Sequence, residues 1–173
     1  KAYNLLKSED VINTLNCLKT LGVKIKLTKN FCKIKGVGLN GFNYKDNLVL
    51  NAGNSGTAAR LIAAILINSP KTIKITGDNS LKKRDMTRII EPLKKFGATF
   101  KKNNGKLPIS IKGTSLVKPI NYQELRGSAQ CKTAVMLAAL SATGTTNIKC
   151  LPSRDHTERL FRYLNIPIKI KKT

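Results

Sequence analysis

Along residues 11–21 the apolar positions Val11, Leu15, Leu18 and Leu21 recur every three or four residues. Residues 86–96 show the same spacing with Met86, Ile89, Ile90, Leu93 and Phe96. Such a stripe is one face of an amphipathic helix. Two other stretches differ in kind. Residues 57–67 (TAARLIAAILI) and 133–142 (TAVMLAALSA) are small or apolar nearly all round, which predicts helices buried on every side. Elsewhere the period is two. Val23-Lys24-Ile25-Lys26-Leu27, Ile73-Lys74-Ile75 and Ile166 to Ile170 alternate. They predict strands with one buried face and one wet face bearing lysines. Thr28-Lys29-Asn30 and Asn103-Asn104-Gly105 read as hairpin turns.

These elements repeat. SEDVINTLNCLKTLGVKIKLTKNFCKIKG, in the 8–37 region, resembles RDMTRIIEPLKKFGATFKKNNGKLPISIKG at 84–113, and RDHTERLFRYLNIPIKIKK at 154–172 is a shorter third version. Asp10 and Asp85 stand 75 residues apart, as do Gly22 and Gly97, and Asp85 and Asp155 stand 70 apart. Between these copies lie NSGTAARLIAAILI and GSAQCKTAVMLAAL, with Ser55 and Ser128 separated by 73 residues. A fixed period of this size marks a repeated supersecondary unit. The unit is strand, buried helix, strand, amphipathic helix, hairpin. The expected fold is α/β with buried parallel helices inside and sheets outside, the reverse of a sheet covered by helices. Residues 1–50 give the second half of one unit, 51–125 a whole unit and 126–173 most of a third. A half-unit is expected ahead of Lys1, which is not a Met.

Composition narrows the class. At 173 residues with 41% hydrophobic residues the chain is globular in composition. No apolar run is long enough to span a membrane and no signal peptide is visible. Cys17, Cys32, Cys131 and Cys150 lack close metal-like spacing and each lies in an apolar-periodic segment. They are expected to be buried thiols of a reducing compartment. The net charge of +23 admits solvated lysines, attraction of anionic small molecules, or nucleic-acid binding. The lysines are spread along the chain, there is no Trp, and the aromatics do not interleave with basic clusters. A nucleic-acid partner is therefore not expected.

The candidate chemistry lies where the buried helices begin. A helix start leaves backbone N–H groups unpaired and carries partial positive charge. Asn54-Ser55-Gly56-Thr57 would aim such donors at an anion, with Gly56 allowing close approach. A plain Ser or Asn cap is the alternative. Gly127-Ser128-Ala129-Gln130 opens the second buried helix in the same way, so the two starts could converge on one anion site. Arg84 and Arg154 occupy equivalent places before the amphipathic helices. Each could fork onto a carboxylate or phosphate, or simply bind its neighbouring Asp. Asp155-x-x-Glu158 reads as a cap-like pair, and His156, the sole histidine, as structural.

Taken together, SEDVINTLNCLKTLGVKI, GNSGTAARL, TGDNSLKKRDMTRIIEPLKKFGATF, SAQCKTAVMLAAL and SRDHTERL resemble the EPSP synthase family along essentially the whole chain. The SAQ and SRDHTE forms resemble its bacterial class II. The resemblance implies a two-domain enzyme, each domain built of three βαβαββ units. It implies transfer of the enolpyruvyl group of phosphoenolpyruvate to the carbon-five hydroxyl of shikimate 3-phosphate, with no metal or organic cofactor. By position, Asn54, Gly56, Arg84 and Gln130 would meet phosphoenolpyruvate. Ser128, Ala129, Gln130, Ser153 and Arg154 would meet shikimate 3-phosphate. No catalytic residue is assigned. The family's Lys-Ser segment and its second domain, with the acid–base groups, do not occur in this chain. The family also links Gly at the position of Gly56 to glyphosate sensitivity. A complete enzyme would be cytoplasmic and monomeric, with no membrane or nucleic-acid partner.

Three departures stand out: Asp85 follows Arg84 where the family has Pro, Leu61 follows Arg60 where class I has Pro, and Asn165 replaces a helix-ending Gly. A UDP-N-acetylglucosamine enolpyruvyl transferase is the alternative within the fold, although none of the four cysteines lies in the mobile loop it uses. A basic nucleic-acid-binding module is the alternative outside it.

Overall fold

The structure is a computed structural model that describes residues 1–101 and 104–171. The elements run β1 (Ala2–Tyr3), α1 (Glu9–Thr20), β2 (Lys24–Leu27), β3 (Phe31–Lys35), β4 (Leu48–Asn51) and α2 (Gly56–Ile65). They continue with β5 (Thr72–Thr76), a single 3-10 turn at Leu81–Lys83, α3 (Thr87–Lys95), β6 (Thr99–Phe100) and β7 (Ile109–Lys112). The last are β8 (Asn121–Glu124), α4 (Ala129–Ala139), β9 (Asn147–Cys150) and α5 (His156–Tyr163).

The expected unit is complete once, in β4–α2–β5–α3–β6–β7. Its four strands form one sheet in the order β4-β5-β7-β6. Strands β4 and β5 are parallel and joined through α2, with Leu48 opposite Ile73. Strands β8 and β9 are likewise parallel and joined through α4, with Asn121 opposite Asn147. A parallel pair requires such a crossover. Helices α2 and α4 lie side by side in the centre. In α2 the residues Gly56, Ala58, Ala59, Ile62, Ala63 and Ala64 are buried, and no residue of α4 is exposed. Small side chains are what let two buried helices come close. The sheets lie outside: Ile73 and Ile75 of β5 are buried while Lys74 between them is exposed. In the β2–β3 hairpin Lys24 and Lys26 are exposed and Ile25 and Leu27 half-buried, and Thr28 closes the turn through its amide to the Phe31 carbonyl. Met86, Ile89, Leu93 and Phe96 are fully buried, as the stripe predicts.

The three amphipathic helices end alike. Gly22 (φ 89°), Gly97 (φ 113°) and Asn165 (φ 54°) all adopt the left-handed conformation. The amides after them, of Val23, Ala98 and Ile166, reach back to the carbonyls of Leu18, Leu93 and Phe161. This is the Schellman closure, which favours Gly and admits Asn. It explains how Asn165 can stand where a Gly is expected.

Three expectations fail. Ile166 to Ile170 is extended but forms no ladder; Ile166 and Ile168 are half-buried with the intervening residues exposed, and β9 pairs with β8 alone among the described residues. Alternation supplies a buried face, but a strand also needs a neighbour for its N–H and C=O groups. Cys150 is exposed, whereas Cys17, Cys32 and Cys131 are buried. It shares the face of half-buried Ile148 but sits at the end of β9, past the rim of the core. Asp155 stands at the start of α5 and makes no side-chain cap bond. Glu158 instead pairs with Lys132 of α4, because a buried ammonium offers a carboxylate a stronger partner than a backbone amide does. Of the second expected hairpin turn, Asn103 lies outside the described residues, and Gly105 is left-handed (φ 76°).

Candidate functional site

Ser55 and Ser128 are the N-caps of α2 and α4, each oxygen accepting the amide three residues on: Ala58 at 3.1 Å and Cys131 at 3.2 Å. The plain-cap alternative therefore describes both serines. The caps leave the amides of Gly56 and Thr57, and of Ala129 and Gln130, without an intrahelical acceptor. The two starts lie at one level. Gln130 Nε2 donates to Thr57 Oγ1 at 2.6 Å, and these residues are 73 apart, equivalent in the repeat. Asn54 and Thr57 are exposed and Gln130 is half-buried, so this end of the helix pair opens to solvent.

Arg60 ties the helices together. One guanidinium nitrogen (Nη1) donates to Gln130 Oε1 at 2.8 Å and to the Gly56 carbonyl at 3.3 Å; the other (Nη2) donates to the Asp85 carbonyl at 3.2 Å. Burial lowers its pKa from the ordinary guanidinium value, and nearby Arg84 and Arg88 push the same way. Arg84 is exposed and donates to Asn54 Oδ1 at 3.4 Å. The preceding turn is fixed by fully buried Leu81. Arg84 is thus not bound to Asp85. The Asp85 carboxylate turns away, accepting the Thr87 amide at 2.8 Å and the Thr87 hydroxyl at 2.5 Å. The hydroxyl bond, then the amide bond, lower the Asp85 pKa. A Cβ added to Gly56 would lie 2.7 Å from Arg60 Nη1 and 3.2 Å from Arg84 Nη1. The glycine is therefore where two guanidinium groups approach the backbone.

The α4 start is built differently. Glu124, at the end of β8, is 3% exposed. Its Oε2 accepts the Ser128 amide at 2.7 Å and the Arg126 amide at 3.1 Å, and its Oε1 takes Arg88 at 2.6 Å. Burial pushes the Glu124 carboxyl up, but these amides and the guanidinium outweigh it and hold the pKa below the ordinary carboxylate value. The equivalent residue of the other unit is Asn51, whose Oδ1 accepts the Gly53 amide at 2.9 Å. Asn13, equivalent to Arg88, lies against Gly53 with its Nδ2 buried and without a hydrogen-bond partner among the described residues.

The fold thus gathers Asn54, Gly56, Arg84 and Gln130. Ser128 and Ala129 sit beside them at the α4 start. Ser153 and Arg154 join through Lys132 of α4, which donates to the Arg154 carbonyl at 3.0 Å. His156 is exposed at the first position of α5. A cavity of about 360 Å³ lies between α1 and β4, lined by Asn13, Asn16, Cys17, Thr20, Val49, Asn51 and Gly53. Among the described residues, no group of three His, Cys, Asp or Glu side chains stands together to hold a metal ion, and no helix is long and apolar enough to cross a membrane. Sequence reasoning missed Arg60, Glu124 and Lys132. A signal existed for Arg60 and Lys132, since each is a lone charge in an otherwise apolar helix, and buried charges are almost always paired.

Repeated units around buried parallel helices, with two equivalent helix starts side by side at one end, define a repeat-built α/β domain. The family model for EPSP synthase (3-phosphoshikimate 1-carboxyvinyltransferase) matches residues 1–173. The chain belongs to that family. It is 45% identical over 173 residues to the 3-phosphoshikimate 1-carboxyvinyltransferase of Ruthia magnifica subsp. Calyptogena magnifica, covering 99% of this chain and 40% of that relative. It is 43% identical over 177 residues to that of Petrotoga mobilis, covering 100% of this chain and 41% of the relative. An EPSP synthase structure from Acinetobacter baumannii superposes with a TM-score of 0.89 at 38% identity, over 96% of this chain and 38% of that one. The chain spans about 40% of the length of these relatives.

Proposed function

We propose that the chain supplies most of one domain of a 3-phosphoshikimate 1-carboxyvinyltransferase, with the second half of one unit at about 1–50, a complete unit at about 51–125 whose first strand is β4, and most of a third at about 126–173 whose first strand is β8. In the reaction, the methylene carbon of phosphoenolpyruvate takes a proton and its neighbouring carbon becomes electrophilic. The carbon-five hydroxyl of shikimate 3-phosphate adds there and loses its proton. The tetrahedral adduct then expels inorganic phosphate and gives up a methyl proton, restoring the double bond. The residues of this chain bind and orient. Gly56, Arg84, Asn54 and Gln130 hold phosphoenolpyruvate at the α2 start. Ser128, Ala129, Gln130, Ser153 and Arg154 hold the phosphate of shikimate 3-phosphate. Proton transfer falls to groups outside this chain.

The observation that carries the reading is the crowding of the Arg60 and Arg84 guanidinium groups around Gly56. Neither forms an ion pair among the described residues. Two like charges held beside a helix start call for an anionic ligand. The cysteines argue against the UDP-N-acetylglucosamine alternative: three are buried and Cys150 ends a strand. A cytoplasmic location and a monomeric complete enzyme belong to the same proposal.

Calorimetric titration with shikimate 3-phosphate, beside titration with single-stranded DNA at two salt concentrations, tests the reading. Saturable binding of shikimate 3-phosphate with at most weak, salt-sensitive DNA binding is expected. DNA binding without shikimate 3-phosphate binding would overturn it. The chain by itself is expected to release no phosphate from the two substrates at the rate of a full-length relative, since oriented acid–base groups contribute orders of magnitude.

A further inference from the structure

Lys132 lies in the first turn of α4 and is 4% exposed. Its ammonium pairs with Glu158 of α5 and donates to the backbone carbonyl of Arg154 at 3.0 Å. A second tie joins the same helices next door, Thr133 Oγ1 to Thr157 Oγ1 at 2.6 Å. Lys132 follows Ser128 by one helical turn, and residues so spaced share a helix face. A single side chain therefore links the α4 start to the turn that carries Ser153 and Arg154. Two polar atoms there are buried without a hydrogen-bond partner among the described residues, Ser153 Oγ and Glu158 Oε2. The turn is thus held by its backbone at Arg154, and its side-chain groups are not consumed in holding it. The Arg154 side chain is exposed and enters no ion pair among the described residues. Glu158 compensates the charge of Lys132, which leaves Arg154 as the cation this turn presents.

We infer that Lys132 and Glu158 are positioning residues for the anion-binding turn at Ser153–Arg154, Lys132 fixing the Arg154 carbonyl and Glu158 fixing Lys132; this rests on the reading that shikimate 3-phosphate places its phosphate there. A merely structural pair would be replaceable. Apolar residues of similar volume in place of a buried ion pair are often neutral or stabilising. A positioning pair would be replaceable for folding and not for binding.

The test compares the 173-residue chain with its Lys132→Met/Glu158→Leu, Lys132→Arg and Arg154→Ala variants and the triple variant, by thermal melting and by calorimetry with shikimate 3-phosphate. The double variant should melt no lower than the parent and bind roughly tenfold more weakly. Adding Arg154→Ala to it should cost less than twofold further, although the same change costs about tenfold in the parent. Lys132→Arg, which keeps a donor and a charge, should bind within about threefold of the parent. Nitrogen-15 relaxation of the unliganded proteins reads the positioning directly: order parameters at Arg154 and Asp155 should fall in the double variant. A double variant that melts as the parent does and binds within twofold of it overturns the inference, and so do unchanged order parameters in a double variant whose melting is changed. Failure of the parent itself to bind shikimate 3-phosphate would instead remove the functional reading on which the inference stands.

Discussion

The starts of α2 and α4 are the same structure with different charge. Both follow a parallel strand, both are capped by a serine, and equivalent residues Thr57 and Gln130 join them. At α4 the strand ends in Glu124, which neutralises Arg88 and takes two amides. At α2 the strand ends in neutral Asn51, and Arg60 and Arg84 crowd Gly56 without forming an ion pair among the described residues. The repeat provides two equivalent frameworks. One spends its carboxylate on holding itself together. The other keeps positive charge in excess beside a residue with no side chain.

The largest expected effect comes from removing the acid. Glu124→Ala should leave Arg88 unpaired and the Ser128 and Arg126 amides without an acceptor. One-sided loss of a buried ion pair costs about 3–5 kcal/mol. The half-exposure of Arg88 places the expected value near the low end, about 3 kcal/mol. Asn51→Ala, at the equivalent position, removes a neutral bond and should cost about 1 kcal/mol. Urea denaturation of the two variants checks the difference; equal costs would erase the contrast between the two starts.

Next is Gly56→Ala. The added methyl would meet Arg60 Nη1 at 2.7 Å and Arg84 Nη1 at 3.2 Å, so it displaces the two cations as well as filling the approach to the helix. Overpacking of this kind costs about 1–3 kcal/mol. Titration of phosphoenolpyruvate into the chain saturated with shikimate 3-phosphate should show a loss of about tenfold or more. In a completed enzyme the inhibition constant for glyphosate should rise by a larger factor than the Michaelis constant for phosphoenolpyruvate. Ala129, at the α4 start, already carries such a methyl. Ala129→Gly should therefore leave phosphoenolpyruvate binding within about threefold, a smaller effect in the opposite chemical direction.

The smallest effect is with acid. The Glu124 pKa is depressed in the folded chain. Its stabilising contribution is therefore present above the ordinary carboxylate value of about 4.3 and is lost as pH falls through the lower native value. Hydrogen exchange should show the first turn of α4 loosening on acidification before the first turn of α2, which has no carboxylate at the equivalent place. Simultaneous loosening would assign the acid sensitivity to the molecule as a whole.

Much of this architecture was legible in the residues. A period of 3.6 separated from all-round apolarity distinguished the covering helices α1 and α3 from the central α2 and α4, because burial of one face or of all faces demands different sequences. The spacing of 73 residues located equivalent helix starts, and the structure places them side by side. What escaped is what depends on partners far along the chain. Ile166 to Ile170 has strand alternation without a strand beside it. Cys150 has an apolar neighbourhood in sequence and lies past the core in space. Asp155 and Glu158 have the spacing of a cap, but Lys132, some two dozen residues earlier in the chain, takes the carboxylate. Arg60 could have been flagged as a lone charge in a buried helix, but its three acceptors come from α2, α4 and the segment before α3, and no local pattern reveals that convergence.

On the proposed reading the two helix starts, equivalent in build, divide the substrates between them, phosphoenolpyruvate at α2 and shikimate 3-phosphate at α4. Amide chemical shifts of the nitrogen-15-labelled chain test it most directly, recorded as shikimate 3-phosphate and then phosphoenolpyruvate are added. Shikimate 3-phosphate is expected to shift the amides of Ser128 to Gln130 and of Ser153 and Arg154, and phosphoenolpyruvate then to shift those of Gly56, Thr57 and Arg84 most. Phosphoenolpyruvate shifts centred on Ser128 to Gln130, with Gly56 and Thr57 unmoved, would contradict it.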